Sequence, residues 1–223
     1  MTNKVNKEIS VFSQLRDFSA FRLFQGQHHE NTAILDKHSM TDGGEIDEIS
    51  PILIEMIDAC QEEIVIQNPY VVLTPAAKLA LKRAHDRGVR ITIHSTCNDS
   101  TDDPLVQAVY NREWRKLAEA MPNAQFYVFK NGERKLHAKV FVFDYSVTFV
   151  GTYNMDFRSE VINSEIICAI KSRSMSQRMR VQLNKDLERS RLLKSESRED
   201  QNMGTKGIFK YVGFLLPFFR PLM

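Results

Sequence analysis

Short β-branched runs that alternate with helix-length amphipathic segments constrain this chain more than any other feature. EIVIQ (63–67) reads as a strand closed by Asn68-Pro69, because the residue before a proline is driven toward extended backbone. PAAKLALKRAHDRG (75–88) reads as a helix, with Pro75 in its first turn and Gly88 past its end. VRITIHS (89–95) is a strand, and Pro104 opens a further helix through LVQAVYNREWRKLAEA. QFYVF (125–129), KVFVFD (139–144), VTFVG (147–151) and SEIICAI (164–170) are strands. Upstream, EIDEISPILIEMIDAC (45–60) spaces Ile49, Ile52, Leu53, Met56 and Ile57 as one helical face, and SMSQRMRVQLNKDLERS (174–190) is a final helix. Strands alternating with helices of ten or more residues indicate an α/β layer fold, and the short links between strands in the middle make the sheet mixed.

A length of 223 residues suits one such domain with extensions. Gly43-Gly44 mark a break. We expect an N-terminal extension over 1–46, irregular but for one possible strand, the catalytic domain over 47–195 and a C-terminal segment over 196–223. The net charge of +2 is too small to indicate a nucleic-acid binder. Basic residues recur only in the C-terminal third, at Arg173, Arg178, Arg180, Lys185, Arg189, Arg191 and Lys194. That run is either a solvated helix face or a surface toward anionic lipid. Cys60, Cys97 and Cys168 are too widely spaced for a zinc site or a disulfide framework, and Cys60 and Cys168 are expected in the core. The polar start MTNKVNKEIS is not expected to act as a signal peptide, and no run reaches the roughly 20 apolar residues that span a bilayer.

Two segments carry chemistry. LHAKVFVFD places His137, Lys139 and Asp144 in an H-x-K-x-x-x-x-D arrangement. GTYNMDFRSEVINSE follows, with Thr152, Asn154, Asp156, Arg158, Ser159, Asn163 and Glu165. His137 and Lys139 are two apart at a strand start and point to one face, which is not expected to be core because a lysine there would be buried unpaired. An imidazole beside an ammonium makes an anion site, and Thr152 and Asn154 can donate to phosphate oxygens. Glu165 could take the hydrogen of one ring nitrogen of His137 and leave the other free to attack. H-x-K alone is common; both segments in order and close together are specific.

Together these segments resemble the paired signatures H-x-K-x-x-x-x-D and G-[ST]-x-N-x-D-x-R-S-x-x-x-N-x-E of the phospholipase D superfamily. The D-x-R-S and N-x-E elements resemble bacterial cardiolipin synthases more than the small endonucleases of the superfamily. IQNPYVVL and RGVRITIHSTCNDSTDDPLVQAVY resemble the opening of the C-terminal half of those synthases, so the resemblance covers about residues 47–190. It implies the phospholipase D-like fold, a mixed sheet flanked by helices. It also implies an enzyme acting on phosphodiesters. His137 would be the nucleophile that forms a phosphoenzyme, or alternatively the general acid. Lys139 and Asn154 would hold the phosphate, with Thr152 where the family often has serine. Glu165 would orient His137. Asp144 would complete the catalytic motif in a structural role, and Asp156 and Arg158 would form a supporting pair beside Ser159 and Asn163. No metal or cofactor is implied, since a fixed ammonium and amide donors can stabilise the charge developing at phosphorus.

The family's synthases carry two such motifs in one chain, and this chain has one. His28, His29, His38, His85 and His94 lack a companion lysine, and His94 reads as a half-buried structural residue. The expected partner is therefore a second copy of the chain or a separate phospholipase D-like half. The C-terminal segment GTKGIFKYVGFLLPFFRPLM can lie in a membrane interface with its basic residues at the headgroups, or dock as a helix. The expected substrate is a phospholipid, at the cytoplasmic face of the membrane; nucleic acid is the substrate only under an alternative nuclease reading, and an inert half-site is a third.

Overall fold

The computed structural model describes residues 31–39, 46–96, 101, 104–129, 136–195, 197 and 200. Eight strands form one sheet: β1 (Thr32–Lys37), β2 (Glu63–Gln67), β3 (Arg90–Ser95), β4 (Gln125–Phe129), β5 (Val140–Phe143), β6 (Val147–Gly151), β7 (Glu165–Lys171) and β8 (Ser190–Leu192). Their order is β1-β7-β6-β5-β2-β3-β4-β8. β2, β3 and β4 are parallel and every other pairing is antiparallel, so the sheet is mixed as expected. Among the described residues four helices flank it: α1 (Ile49–Ala59), α2 (Pro75–Asp86), α3 (Pro104–Ala120) and α4 (Arg173–Glu188).

Local chemistry fixes the helix starts. Asp47 Oδ1 accepts from the backbone N–H of Ile49 and Ser50 at 3.1 and 3.0 Å, which leaves Pro51 in the first turn of α1. Thr74 caps α2 through Ala77 N at 3.3 Å, and Ser172 caps α4 through Met175 N at 3.3 Å. Gly88 follows α2 with φ at +88°, a conformation that favours glycine.

Strand alternation divides the core in two. Ile64, Ile66, Phe141, Phe143 and Phe149 pack with Leu53 and Ile57 of α1, Leu81 of α2 and Trp114 of α3. Val65, Val140 and Val142 point the other way and meet Leu183 and Met179 of α4. Burying a side chain of this size stabilises the fold by about 1.5–3 kcal/mol each. Under α4 the buried hydroxyls of Thr148 and Ser176 meet at 2.8 Å, and Arg180 turns inward to Glu63 at 3.0 Å.

The edge strand β1 comes from the segment expected to be an extension. It pairs antiparallel with β7 over the whole of Thr32–Lys37, so the sheet begins before residue 47. The short β8 was also not expected; SRL is too brief to carry a period-2 signal. Registers Gln67↔Val140, Val140↔Val150, Gly151↔Ile167 and Lys37↔Glu165 bring both motif segments to the same end of the strands.

Candidate active site

His137 and Lys139 lie in the segment that enters β5. His137 is exposed and Lys139 is only 8 % exposed. Alternation puts Lys139 on the same face as Phe141 and Phe143, so the expectation that this face is not core needs correction. The lysine is tolerated because it sits at the rim and is partnered: Nζ lies 3.3 Å from His137 Nε2 and donates to the His137 carbonyl at 3.1 Å. For the first contact to be a hydrogen bond, Nε2 must accept, which places the ring hydrogen on Nδ1.

Gly151 lets the neighbouring strands close. A Cβ there would meet Ile166 O at 2.0 Å and Ile167 Cα at 2.8 Å. Gly151 N donates to Lys139 O at 3.3 Å and Thr152 N to Ile166 O at 2.9 Å, which continues the ladder past the strand ends.

Glu165, 8 % exposed, opens β7 and is gripped by three side chains. Thr152 Oγ1 donates to Oε2, while Ser159 Oγ at 2.6 Å and Asn163 Nδ2 at 3.3 Å donate to Oε1. Two expectations are corrected here. Thr152 does not aim its hydroxyl hydrogen at a ligand site: that hydrogen goes to Glu165, and the oxygen accepts from Ile166 N at 3.0 Å. Among the described residues no hydrogen bond joins Glu165 to His137. Continuing the registers puts these two residues on either side of the β6 exit, about 10 Å apart at their backbones.

The connection from Asn154 to Asn163 shapes this grip. Arg158–Ile162 forms a π-helical turn closed by Asn163 N to Arg158 O at 2.7 Å. Asp156 Oδ1 accepts from Ser159 N at 2.9 Å, and the fully buried Ser159 hydroxyl accepts from Asn154 N at 3.1 Å while donating to Glu165. Burial pushes the Asp156 carboxyl up to about 6, against the hydrogen bond from Ser159 N and the nearby Arg158 charge, with Glu165 pushing the same way as burial. Asn154 Oδ1 is buried without a hydrogen-bond partner, so that amide retains bonding capacity.

Asp144 lies at the far end of β5, an interior strand. Seven residues of largely extended chain put it about 20 Å from His137, which removes it from the catalytic set. It sits with Tyr145 in the tight β5–β6 turn, at φ +48° and +53°. Its carboxylate accepts from Gln61 N at 2.9 Å, Glu62 N at 2.7 Å, Glu63 N at 3.0 Å and the Cys60 thiol at 2.8 Å. Burial raises the Asp144 pKa, but the Cys60 thiol and these backbone donors outweigh it and hold the carboxyl below its usual range. Burial, and then Asp144, push the Cys60 thiol up to about 12.

Other groups fall outside the site. His94 is 1 % exposed, with Nδ1 3.0 Å from Gln67 Nε2, Nε2 2.9 Å from Ser190 Oγ and its ring edge-on to Phe129. Its burial is complete, where half-burial was expected. Cys60 and Cys168 are free thiols, and Cys168 is only partly buried, not a core residue. The basic run divides: Arg180 and Arg191 pair with Glu63 and Asp200, whereas Arg173, Arg178, Lys185 and Arg189 are exposed. His28, His29, Cys97 and residues 207–223 lie outside the described residues.

Sequence reasoning missed Lys37 and Asn68. Lys37 is 4 % exposed, pairs across strands with Glu165 and donates to Asn163 O at 3.3 Å. Its signal was a lysine in step with Leu35 on the inward side of an alternating run. Asn68 is fully buried and its amide donates to Tyr153 O at 3.1 Å, tying β2 to the β6 exit.

A cardiolipin synthase 1 from Staphylococcus epidermidis is 28% identical over 166 residues, which are 73% of this chain and 32% of that protein. The chain thus spans about a third of the length of the curated relatives it matches. Its fold is similar to phosphatidylserine synthase of Haemophilus influenzae Rd KW20, with a TM-score of 0.68 and 14% identity over 86% of this chain and 47% of that one. It is also similar to Nuc, a phospholipase D family member from Salmonella typhimurium, with a TM-score of 0.56 and 18% identity over 72% of this chain and 97% of that one. Residues 53–187, more than half of the chain, match the family described as "Cardiolipin synthase, PLD-like domain", and the chain belongs to that family.

Proposed function

We propose that this chain supplies a phospholipase D-type half-site that cleaves or transfers a phosphodiester, with a phospholipid as substrate. The observation that carries the reading is the exposed His137 ring with its Nε2 3.3 Å from the buried Lys139 ammonium. In this reading Nε2 attacks phosphorus, and the P–N bond forms as the P–O bond to the leaving alkoxide breaks. Lys139 turns from the ring to a non-bridging oxygen, where the charge gathers, and the Asn154 amide joins it. A second imidazole protonates the leaving group, then removes the proton from the accepting water or alcohol, whose oxygen displaces His137 from phosphorus. Thr152, Ser159 and Asn163 keep the Glu165 carboxylate fixed on the other side of the β6 exit from His137. Lys37 braces the corner from which Glu165 projects.

The second imidazole comes from a second copy of the chain about a twofold axis, or from a separate half. The share of the longer relatives that this chain covers supports either source. The names of the relatives, cardiolipin synthase and phosphatidylserine synthase, support phosphatidyl transfer at a membrane. No helix among the described residues is long and apolar enough to cross a bilayer. In this reading the phenylalanine-rich segment 207–223, with Lys210 and Arg220, attaches the chain to the cytoplasmic membrane surface.

The test is turnover by the purified chain on phosphatidylglycerol vesicles and on single-stranded DNA, with light scattering to give its mass. The reading predicts a dimer that consumes lipid and not DNA, and that loses this activity in His137→Ala. DNA cleavage without lipid turnover would move the assignment to a nuclease.

A further inference from the structure

We infer that a groove between α2 and α3 is a second binding site, for a single-chain anionic lipid. The groove encloses about 400 Å³ and is lined by Lys78, Leu79, Lys82, Lys116, Leu117 and Met121. None of these residues belongs to the His137 site. α2 buries Ala77, Ala80, Leu81 and Ala84 against the core and turns Leu79 outward, 60 % exposed. A lone exposed leucine is ordinary. This one forms the wall of a trough whose floor is Leu117 and Met121, themselves 6 % and 1 % exposed. The concave apolar strip therefore continues from the core to solvent, and its volume falls in the range of small-molecule sites.

The rim is cationic. Lys78 reaches across to Glu113 at 2.8 Å and pins the two helices together, and Lys82 pairs with Asp86 along α2. Lys116 stands exposed on α3. With Lys78 and Lys82 each held by a carboxylate, Lys116 leaves the rim with one unbalanced positive charge. Lysine stems extend the apolar wall while their ammonium groups stay in water. That combination complements an alkyl or acyl chain in the trough with a phosphate or carboxylate at its mouth. It does not suit a free phosphate, which would leave the trough empty, or a neutral alcohol, which would leave the Lys116 ammonium unmatched.

The inference does not depend on turnover at His137. Its test is titration of the full chain with dodecyl phosphate below its micelle concentration. Calorimetry gives the affinity, and fluorescence of Trp114, the single tryptophan, buried on α3, gives the location. Saturable binding to one site is expected, weakened at least tenfold by Leu79→Asp and by Lys116→Glu, both surface changes whose folding circular dichroism checks. Inorganic phosphate and dodecanol should each bind at least tenfold more weakly, and His137→Ala should bind normally. The inference is overturned by an absence of saturable binding, by unchanged affinity in Lys116→Glu, or by equal affinity for either control. Binding lost in His137→Ala and kept in Leu79→Asp would place the lipid at the catalytic site instead.

Discussion

The Lys139 ammonium stands 3.3 Å from Nε2 of His137, which under the proposed function puts a positive charge where a phosphate oxygen would arrive. Lys139→Met removes that charge from a nearly dry position and should lower kcat on a phosphodiester by roughly 10²–10³. Lys139→Arg keeps the charge but not the compact ammonium and should recover only part. Steady-state rates on a chromogenic phosphodiester check this, and a kcat within twofold of wild type for Lys139→Met would separate the lysine from the chemistry.

Ser159 is the keystone of the Glu165 grip, since one buried hydroxyl serves both the Asn154 backbone and the carboxylate. Ser159→Ala leaves Glu165 Oε1 with only the long bond from Asn163 and strands the Asn154 backbone donor, and should cost about 1–3 kcal/mol of stability. Urea denaturation measures it; an unchanged midpoint would mean that Thr152 and Asn163 hold Glu165 unaided.

Asp144 should separate stability from chemistry. Asp144→Ala removes an acceptor shared by three backbone N–H groups and the Cys60 thiol, and puts alanine at positive φ. A loss of about 2–3 kcal/mol is expected, and a smaller one for Asp144→Asn, which tolerates that backbone. Activity per folded molecule should not change. A drop in kcat for fully folded Asp144→Asn would contradict its placement at the far end of β5.

His94 makes the fold acid-sensitive. Burial lowers its pKa from 6.5 to about 4, against the pull of the Asp186 charge. Between those values the unfolded chain holds a proton that the folded chain does not. The stability is fully present above pH 6.5 and falls toward pH 4, by about 3 kcal/mol in all. Asp156 has the opposite slope: its carboxyl, at about 6 when folded and 3.8 when not, stays protonated in the fold, so stability falls as pH rises through that window. Because the two offset, the difference between wild type and His94→Gln isolates the histidine. Urea midpoints from pH 7 to pH 4 should converge as the pH drops, and parallel curves would contradict the assignment.

The helices and strands β2 to β7 were legible because each carries its own period and its own stops, such as Thr74-Pro75 and Asn68-Pro69. β1 was harder to see: TAILDK is a half-exposed edge strand, and its pairing with β7 joins residues more than 120 apart in sequence. The motif residues were legible as types and spacing, and their placement at the same end of the strands follows from strand direction. Their partners were not. Nothing in the spacing of Thr152 distinguishes a hydroxyl aimed at a ligand from one aimed at Glu165, because that choice depends on how the π-helical turn at Arg158–Ile162 carries Ser159 back toward β7. The structural role of Asp144 was implied by the resemblance, but its partners at residues 60–63 appear only once the β5–β6 turn is seen to fold onto them.

The most direct measurement of the central claim is acid-free trapping of the covalent intermediate. Full-length chain would be mixed with phosphatidylglycerol vesicles, quenched within one turnover at alkaline pH and digested for mass spectrometry. The account predicts a phosphatidyl adduct on the peptide that contains His137, absent from His137→Ala. Lipid turnover with no adduct on that peptide, or with the adduct on another residue, would contradict it.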